Sequence, residues 1–263
     1  LVNKIHQNVI ACEKSNLHSI LTDCPQRNER MAWMNDATVR FEETPYNFDI
    51  GRLFPKVVRD IIATQRGDGM IADTAPYIVG CRPADPVCSS FLVAGLGALM
   101  HTGNKEIIEE AYEAFKAWEN VLLERSDNYI VNYSHYGDWA SPQGSCVSDE
   151  DAKSAVTPGI LMSTGYSYYN CKLIAEFAKL LGKEFDEQYY LQTADNIKKA
   201  FLDKWFDENT GKVATGSQAC QAFPLWLGII PKEYKKKAAA VLCEDLLKNK
   251  YKVTTGNLCS RYI

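Results

Sequence analysis

Residues 23–36 carry the densest group of chemically active side chains in this sequence. Three carboxylates, Asp23, Glu29 and Asp36, are interleaved with the guanidinium groups of Arg27 and Arg30. Cleavage of a glycosidic bond needs one carboxylic acid to protonate the leaving oxygen and a second carboxylate to activate water. Further carboxylates can hold the hydroxyl groups of a sugar. The segment therefore offers a proton donor together with groups that bind a sugar.

A glutamate between two arginines is by itself also typical of a solvated ion pair. The order of the surrounding residues distinguishes a catalytic segment from such a pair. Residues 23–36 resemble the signature of glycoside hydrolase family 78, the α-L-rhamnosidases: Asp-Cys-Pro-x-Arg-x-Glu-Arg-x-x-Trp-x-Gly-Asp. The one fixed place that differs is Asn35, where the family has Gly, and both residue types tolerate a positive φ. The resemblance continues in the same order through residues 45–49, 136–139, 157–158, 163–166, 180–182, 229–231 and 254–256.

The resemblance implies a function and a role for each matched residue. The implied function is that of an inverting glycoside hydrolase that removes terminal α-L-rhamnose, without a metal or an organic cofactor. Glu29 matches the general acid, and we expect carboxylates or an apolar wall beside it, because the acid must carry a proton. The residues that match the rhamnose-binding positions are Asp23, Arg27, Trp33 and Asp36. The sequence alone leaves open a purely structural role for Arg27 and core packing for Trp33.

A shorter match, Gly137-Asp138-Trp139, is expected to line the same cleft and to bind substrate through Asp138 and Trp139. The alternative for Asp138 is that its carboxylate caps the backbone of a loop, as aspartates commonly do. We interpret His135 as a loop histidine rather than a catalytic residue.

The sequence differs from the family pattern in two respects. Residues 85–90 read Asp-Pro-Val-Cys-Ser-Ser where the family carries Trp-x-Asp-Ala, so a substrate contact is replaced or missing. No residue matches the general-base glutamate of the family. We therefore expect the base, the last helices of the barrel and the flanking β-sandwich domains to lie outside these residues, and the isolated chain to be inactive.

Two other functions remain open at this stage. The first is a glycosidase or polysaccharide lyase with the same fold that acts on another sugar. The second is a carbohydrate-binding protein that has lost its catalytic activity. The presence of Glu29 among aspartates and arginines speaks against the second, because a binding protein does not need a proton donor.

Hydrophobic spacing predicts an all-α chain, and the family resemblance implies an (α/α)6 toroid. Apolar residues recur every three or four positions in several segments, whereas alternating patterns are almost absent. The predicted helices span residues 2–20, 54–64, 91–101, 105–123, 166–181, 186–205, 218–227 and 232–247. Gly182 is expected to end one of them in a left-handed conformation. Long polar and aromatic loops at 22–49, 68–90 and 127–158 are expected to form the site.

Composition fits a single domain over residues 1–263 and an uncharged or weakly charged ligand, and the resemblance implies that this ligand is a carbohydrate substrate. The chain has 29 basic and 33 acidic residues without a charged block, which excludes a typical nucleic-acid binder. No apolar run reaches the roughly 18 residues of a membrane span, so no membrane partner is expected. The sequence begins with Leu1 rather than Met, so an export signal and the localisation stay undetermined.

The nine cysteines contain no Cys-x-x-Cys pair, which argues against a structural zinc ion. Buried free thiols are the favoured interpretation. A disulfide between Cys81 and Cys88 is the alternative in an oxidising compartment.

Overall fold

The computed structural model describes residues 1–142 and 156–263, which form two compact units. Unit 1 comprises Leu1–Ala84 and Cys88–Trp118, and unit 2 comprises Asp85–Val87 and Glu119–Ile263. Residues 143–155, which belong to the predicted loop at 127–158, lie outside the described residues.

Helices dominate the described part of the chain, as the sequence predicts. Its nine α-helices are α1 (Val2–Asn16), α2 (Met34–Thr38), α3 (Leu53–Thr64), α4 (Ser90–Thr102), α5 (Lys105–Glu124), α6 (Gly159–Leu180), α7 (Glu184–Trp205), α8 (Gln218–Leu227) and α9 (Lys235–Lys248). Two antiparallel hairpins of two-residue strands accompany them: β1 (Ser126–Asp127) with β2 (Ile130–Val131), and β3 (Phe206–Asp207) with β4 (Lys212–Val213). None of the described helices is both long and apolar enough to cross a membrane.

The core of unit 1 includes the packed pair α3 and α4. Helix α3 buries one face through Phe54, Val58 and Ile61, the spacing of an amphipathic helix. Gly97 lets α4 approach this face closely, since a Cβ there would lie 2.6 Å from the Phe54 ring. Helix α4 is buried around most of its circumference and therefore shows little amphipathic period.

Unit 2 is built on the hairpin of α6 and α7. The connection is tight because Gly182 has a φ of +71° and the Lys183 N–H donates to the Ala178 carbonyl at 2.9 Å. This is the geometry of a Schellman motif, and it confirms the predicted left-handed end of the helix.

A buried carboxyl group joins α5 to α6. Glu119 is fully buried and accepts hydrogen bonds from the Ser167 hydroxyl, from Asn170 Nδ2 at 3.0 Å and from the Cys171 thiol at 3.5 Å. Burial raises the pKa of Glu119 to about 8, which outweighs the hydrogen bonds that lower it. The group is therefore mostly protonated at neutral pH.

Two helix boundaries differ by four residues or more from those that the sequence predicts. Helix α1 ends at Asn16 rather than near residue 20, because the Thr22 hydroxyl and N–H bond back to Asn16 and reverse the chain. Helix α6 begins at Gly159, directly after Pro158, rather than at residue 166. Its first two turns are mostly buried, so they lack the polar face that marks an amphipathic helix.

The eight described cysteines are all free, and Cys146 lies outside the described residues. Cys81 and Cys88 thus form no disulfide with each other, and the Cys88 thiol lies 3.6 Å from Asp73 Oδ1. Most of these thiols are shielded from solvent, but Cys12 and Cys243 are exposed. The expectation of buried thiols is wrong for these two.

Candidate active site

The loop at 23–31 in unit 1 is closed at its two ends by Asp23 and Met31. The Asp23 N–H donates to the Met31 carbonyl at 2.8 Å, and the Met31 N–H donates to Asp23 Oδ1 at 2.8 Å. The Asp23 side chain is only 5% exposed, and its Oδ2 lies 3.6 Å from the guanidinium of Arg27. Asp23 therefore fixes the loop that carries Glu29.

Glu29 is more accessible than Asp23, with 31% of its side chain exposed. Its Oε1 accepts a hydrogen bond from Trp33 Nε1 at 2.8 Å, and its Oε2 lies 2.8 Å from Arg27 Nη2. The sequence predicts carboxylates or an apolar wall beside Glu29. The Asp23 carboxylate does lie near, within 4.8 Å. The direct partners of Glu29 are two donors, a cation and an indole, which hold its carboxylate in a fixed orientation.

Arg27 supplies the positive charge of the loop and is 62% exposed. Contact with Cys24 and the charge of Glu29 raise the pKa of its guanidinium. The ligand atoms of Asp23, Cys24 and Glu29 lie within 4.8 Å of one another, a grouping that could hold a metal ion. The Arg27 guanidinium is the cation that lies beside both carboxylates in this structure.

Backbone pairing fixes the indole of Trp33. Trp33 forms an antiparallel bridge with Thr74, and the next N–H, that of Met34, donates to the Asp73 carbonyl at 2.9 Å. A Cβ on Gly80 would lie 2.7 Å from the Asp73 Cβ and 3.2 Å from Trp33 Cζ3, so glycine lets the backbone pass close to both side chains. Trp33 is partly exposed rather than buried in the core.

Asp36 lies in the first turn of α2, a short helix that the sequence does not predict. The Ser90 hydroxyl donates to the Met34 carbonyl at 2.6 Å and bonds the Thr38 hydroxyl, which ties α2 to the start of α4. Burial, together with the charge of Asp23, raises the pKa of Asp36 to about 6. Asp36 therefore changes its protonation state in the mildly acidic range.

In unit 2, Asp85 organises the loop that leads to Gly137-Asp138-Trp139. Its fully buried carboxylate accepts hydrogen bonds through Oδ2 from the His135 N–H, the Tyr136 N–H at 2.7 Å and the Ser134 hydroxyl at 3.1 Å. The Val87 N–H donates to Oδ1 at 3.0 Å. The segment 85–90, which differs from the family pattern, thus supplies the residue that anchors this loop. This Asx turn at an Asp-Pro pair is a signal that the sequence already carried.

Asp138 takes the loop-capping role that the sequence left as its alternative. Its carboxylate is fully buried and accepts hydrogen bonds from the Gly256 N–H at 2.7 Å and the Cys259 N–H at 3.0 Å. Burial raises its pKa. The side chain has no exposed surface in this structure, so its role as a substrate ligand stays a prediction. Trp139 is 37% exposed, and its ring meets that of Tyr136 edge-on at 5.7 Å.

The predicted site residues therefore fall into two groups. Those gathered on one segment of unit 1 are Asp23, Arg27, Glu29, Trp33 and Asp36. Asp138 and Trp139 belong to unit 2. The structure adds two loop anchors: Asp85, and Asp73, whose carboxylate accepts a hydrogen bond from the Cys81 N–H.

Comparison with known proteins agrees with the pattern of these residues. A family model described as the bacterial alpha-L-rhamnosidase 6 hairpin glycosidase domain matches residues 1–263. An alpha-L-rhamnosidase of Streptomyces avermitilis is 28% identical over 259 residues, which cover 98% of this chain and 24% of that protein. One of Formosa agariphila is 25% identical over 266 residues, or 98% of this chain and 27% of that protein. The chain thus spans about a quarter of these relatives.

Solved structures with similar folds include two alpha-L-rhamnosidases. That of Dictyoglumus thermophilum has a TM-score of 0.92 and 36% identity, and the match covers 100% of this chain and 29% of that one. That of Streptomyces avermitilis, complexed with L-rhamnose, has a TM-score of 0.88 and 27% identity, with 98% and 24% covered. These matches confirm the predicted all-α toroid class.

Proposed function

The chain belongs to the bacterial alpha-L-rhamnosidase six-hairpin glycosidase domain family, and from this premise we propose that the protein is a glycoside hydrolase that removes terminal α-L-rhamnose, with Glu29 as the general acid. The observation that carries the proposal is the geometry of Glu29. Its carboxylate is partly exposed and is oriented by two side-chain donors, Arg27 and Trp33. A purely structural carboxylate would have no need of an accessible face.

The two partners of Glu29 act differently in this mechanism. Arg27 is mostly exposed, and exposed ion pairs are weak, so an entering sugar displaces its guanidinium from Oε2. The freed Oε2 then carries the proton that a general acid donates. Trp33 keeps its bond to Oε1, which leaves the proton on Oε2 directed at the leaving oxygen.

The neighbouring aspartates stabilise the positive charge that develops on the sugar ring. The transition state of glycoside hydrolysis resembles an oxocarbenium ion, and Asp23 and Asp36 supply negative charge beside Glu29. Asp36, whose pKa is about 6, also holds a sugar hydroxyl. The ring of Trp33 covers the apolar face of the sugar, because aromatic faces stack on such surfaces. Asp138 acts on substrate only through the loop that it positions.

An inverting mechanism also needs a general base on the opposite face of the sugar. We assign this role to a carboxylate that these 263 residues do not contribute, since none of them matches the family's base. The isolated chain is then expected to release no rhamnose.

The test uses the full-length protein and measures the release of L-rhamnose from nitrophenyl α-L-rhamnoside. Glu29→Gln keeps the size of the side chain and removes the acid, so kcat is expected to fall by about 10²- to 10⁴-fold. The loss is expected to be larger for an alkyl rhamnoside, whose leaving oxygen depends more on protonation. Glu109→Gln, an exposed substitution on α5, is the matched control and should leave the rate unchanged.

Other outcomes separate the competing functions. Equal activity in Glu29→Gln and the unmodified protein would remove Glu29 from the mechanism. Cleavage of a different aryl glycoside, with none of the rhamnoside, would favour the glycosidase for another sugar. Binding of saccharides without cleavage of any substrate would favour the non-catalytic carbohydrate-binding protein.

A further inference from the structure

Unit 2 has a surface pocket that includes none of the candidate active-site residues. It lies between the hairpin of β1 and β2 and helix α7 and has a volume of about 360 Å³, within the range of small-ligand sites. Tyr129 contributes from the hairpin, and Tyr189, Gln192 and Asn196 contribute from α7.

The described lining of this pocket is aromatic, amide and hydroxyl in character, without a charged side chain. This is unusual for a surface feature of a chain in which 24% of the residues are charged. Tyrosine faces pack on the C–H surface of a sugar ring, and amide and hydroxyl groups both donate to and accept from its hydroxyls. The lining therefore fits a neutral saccharide better than an ion or a nucleotide.

The polar groups of the pocket are held in place before any ligand arrives. Asn196 Nδ2 donates to the Tyr129 hydroxyl at 3.2 Å, and Gln192 Nε2 donates to Asn196 Oδ1 at 3.3 Å. The Tyr189 ring packs edge-on against the buried ring of Tyr190, with the centroids 5.0 Å apart. Preorganised groups lose less conformational entropy on binding.

The backbone at Tyr129 gives a second, independent indication. Asn128 and Tyr129 have φ values of 47° and 66° and form the two-residue turn of the hairpin, where the second position favours glycine. The tyrosine side chain is 42% exposed, and that of Tyr189 is 48% exposed. Neither ring is used to fill the core, so a turn position that favours glycine carries an aromatic ring at the surface.

The pocket continues on the other side of Tyr129. A second depression of about 470 Å³ shares Asn128, Tyr129 and Asn196 and extends to Lys199 and Lys204. The tyrosine ring thus stands between two adjoining spaces, which gives room for more than one residue of a saccharide chain.

We propose that this pocket is a second carbohydrate-binding site, in which the rings of Tyr129 and Tyr189 receive a neutral sugar residue of a saccharide chain. Such a site would keep a polymer bound to the protein independently of catalysis. The inference rests on the proposed function only for the choice of a rhamnose polymer as one of its probes.

Affinity electrophoresis of the full-length protein tests the proposal. Native gels contain either a soluble neutral rhamnose polysaccharide or a soluble neutral galactan, and all proteins carry Glu29→Gln to prevent hydrolysis. Tyr129→Gly removes the ring and relieves the turn, so the variant should fold, while its dissociation constant for the retained polymer should rise about tenfold. Tyr251→Gly is the matched control, because Tyr251 is also exposed and has a φ of 59°. It should bind like its parent.

The retardation of the variants distinguishes a supporting outcome from a contradicting one. Weaker retardation of Tyr129→Gly and of Tyr189→Ala, with normal retardation of Tyr251→Gly, would support the site. Equal retardation of all variants, or retardation of none by either polymer, would overturn it. Rhamnose release by the corresponding proteins with Glu29 intact is measured in parallel and should be the same with and without Tyr129→Gly. Absence of that release would contradict the proposed function alone, since the gels test the pocket separately.

Discussion

The loop of unit 1 at 23–36 and the loop of unit 2 at 134–139 both depend on carboxylates, yet they use them in different ways. Glu29 is partly exposed, and its partners are two side chains, one of which is mostly exposed. Asp85 and Asp138 are fully buried, and most of their partners are backbone N–H groups of distant segments.

The type of partner, more than the type of residue, distinguishes the two roles. A carboxylate that satisfies buried backbone N–H groups cannot leave them without exposing unpaired donors, which is unfavourable. A carboxylate held by an exposed arginine can exchange that partner for a substrate. The loop of unit 1 is therefore suited to chemistry, and the loop of unit 2 to holding its own shape.

The largest stability effect that this comparison predicts is that of Asp138→Ala. Removal of the carboxylate leaves the N–H groups of Gly256 and Cys259 without their acceptor, and we expect unfolding to become easier by about 4 kcal/mol. Asp138→Asn, which keeps one acceptor oxygen, should lose less. Urea denaturation of the full-length protein measures both.

The control for this prediction is Asp195→Ala, an exposed position on α7, which should change stability by less than about 0.5 kcal/mol. A stable Asp138→Ala protein with a raised KM would break the comparison. It would then place Asp138 among the substrate ligands, as the family resemblance implied.

A somewhat smaller effect, which depends on pH, is expected at Glu119. Its pKa is about 8 in the folded protein against an ordinary 4.5, so the folded state binds a proton that the unfolded state releases. This contribution to stability is fully present below pH 4.5 and is lost as the pH rises to about 8. Glu119→Gln removes this dependence, and its stability relative to the unmodified protein should rise by on the order of 3 kcal/mol between pH 5 and pH 8.

Denaturation at the two pH values compares the variant with Glu109→Gln, the exposed glutamate on the same helix. If both substitutions gave the same pH dependence, Glu119 would be ionised in the folded protein. The contrast between buried and accessible carboxylates would then fail in unit 2.

The sequence predicted the amphipathic helices closely, and the reason is physical. Helices α5 and α7 each bury one face, and their predicted bounds lie within two residues of those observed. Helix α2 was not predicted, because five residues carry no period and Ser90 of a distant helix anchors them. Periodicity cannot report such tertiary contacts.

The sequence predicted which residues form the candidate site, but not the hydrogen bonds between them. The ordered motif identified Glu29, whereas its contact with Trp33 depends on the pairing of Trp33 with Thr74. The bond from Gly256 to Asp138 joins residues 118 positions apart. Spacing along the chain gives no information about a contact of that range, so the buried role of Asp138 stayed one of two alternatives.

The smallest effect, and the finest test of the comparison, is expected from Trp33→Phe. Phenylalanine keeps an aromatic face for the sugar and removes only the Nε1 donor that orients Glu29 at 2.8 Å. A hydrogen bond to a charged group contributes about 1.5–3 kcal/mol, so we expect kcat to fall by roughly tenfold with little change in KM. Because a misoriented acid matters most for poor leaving groups, the loss should be greater for an alkyl rhamnoside than for the nitrophenyl substrate. An equal loss on both substrates, or a change in KM alone, would mean that Trp33 serves sugar binding and does not position Glu29.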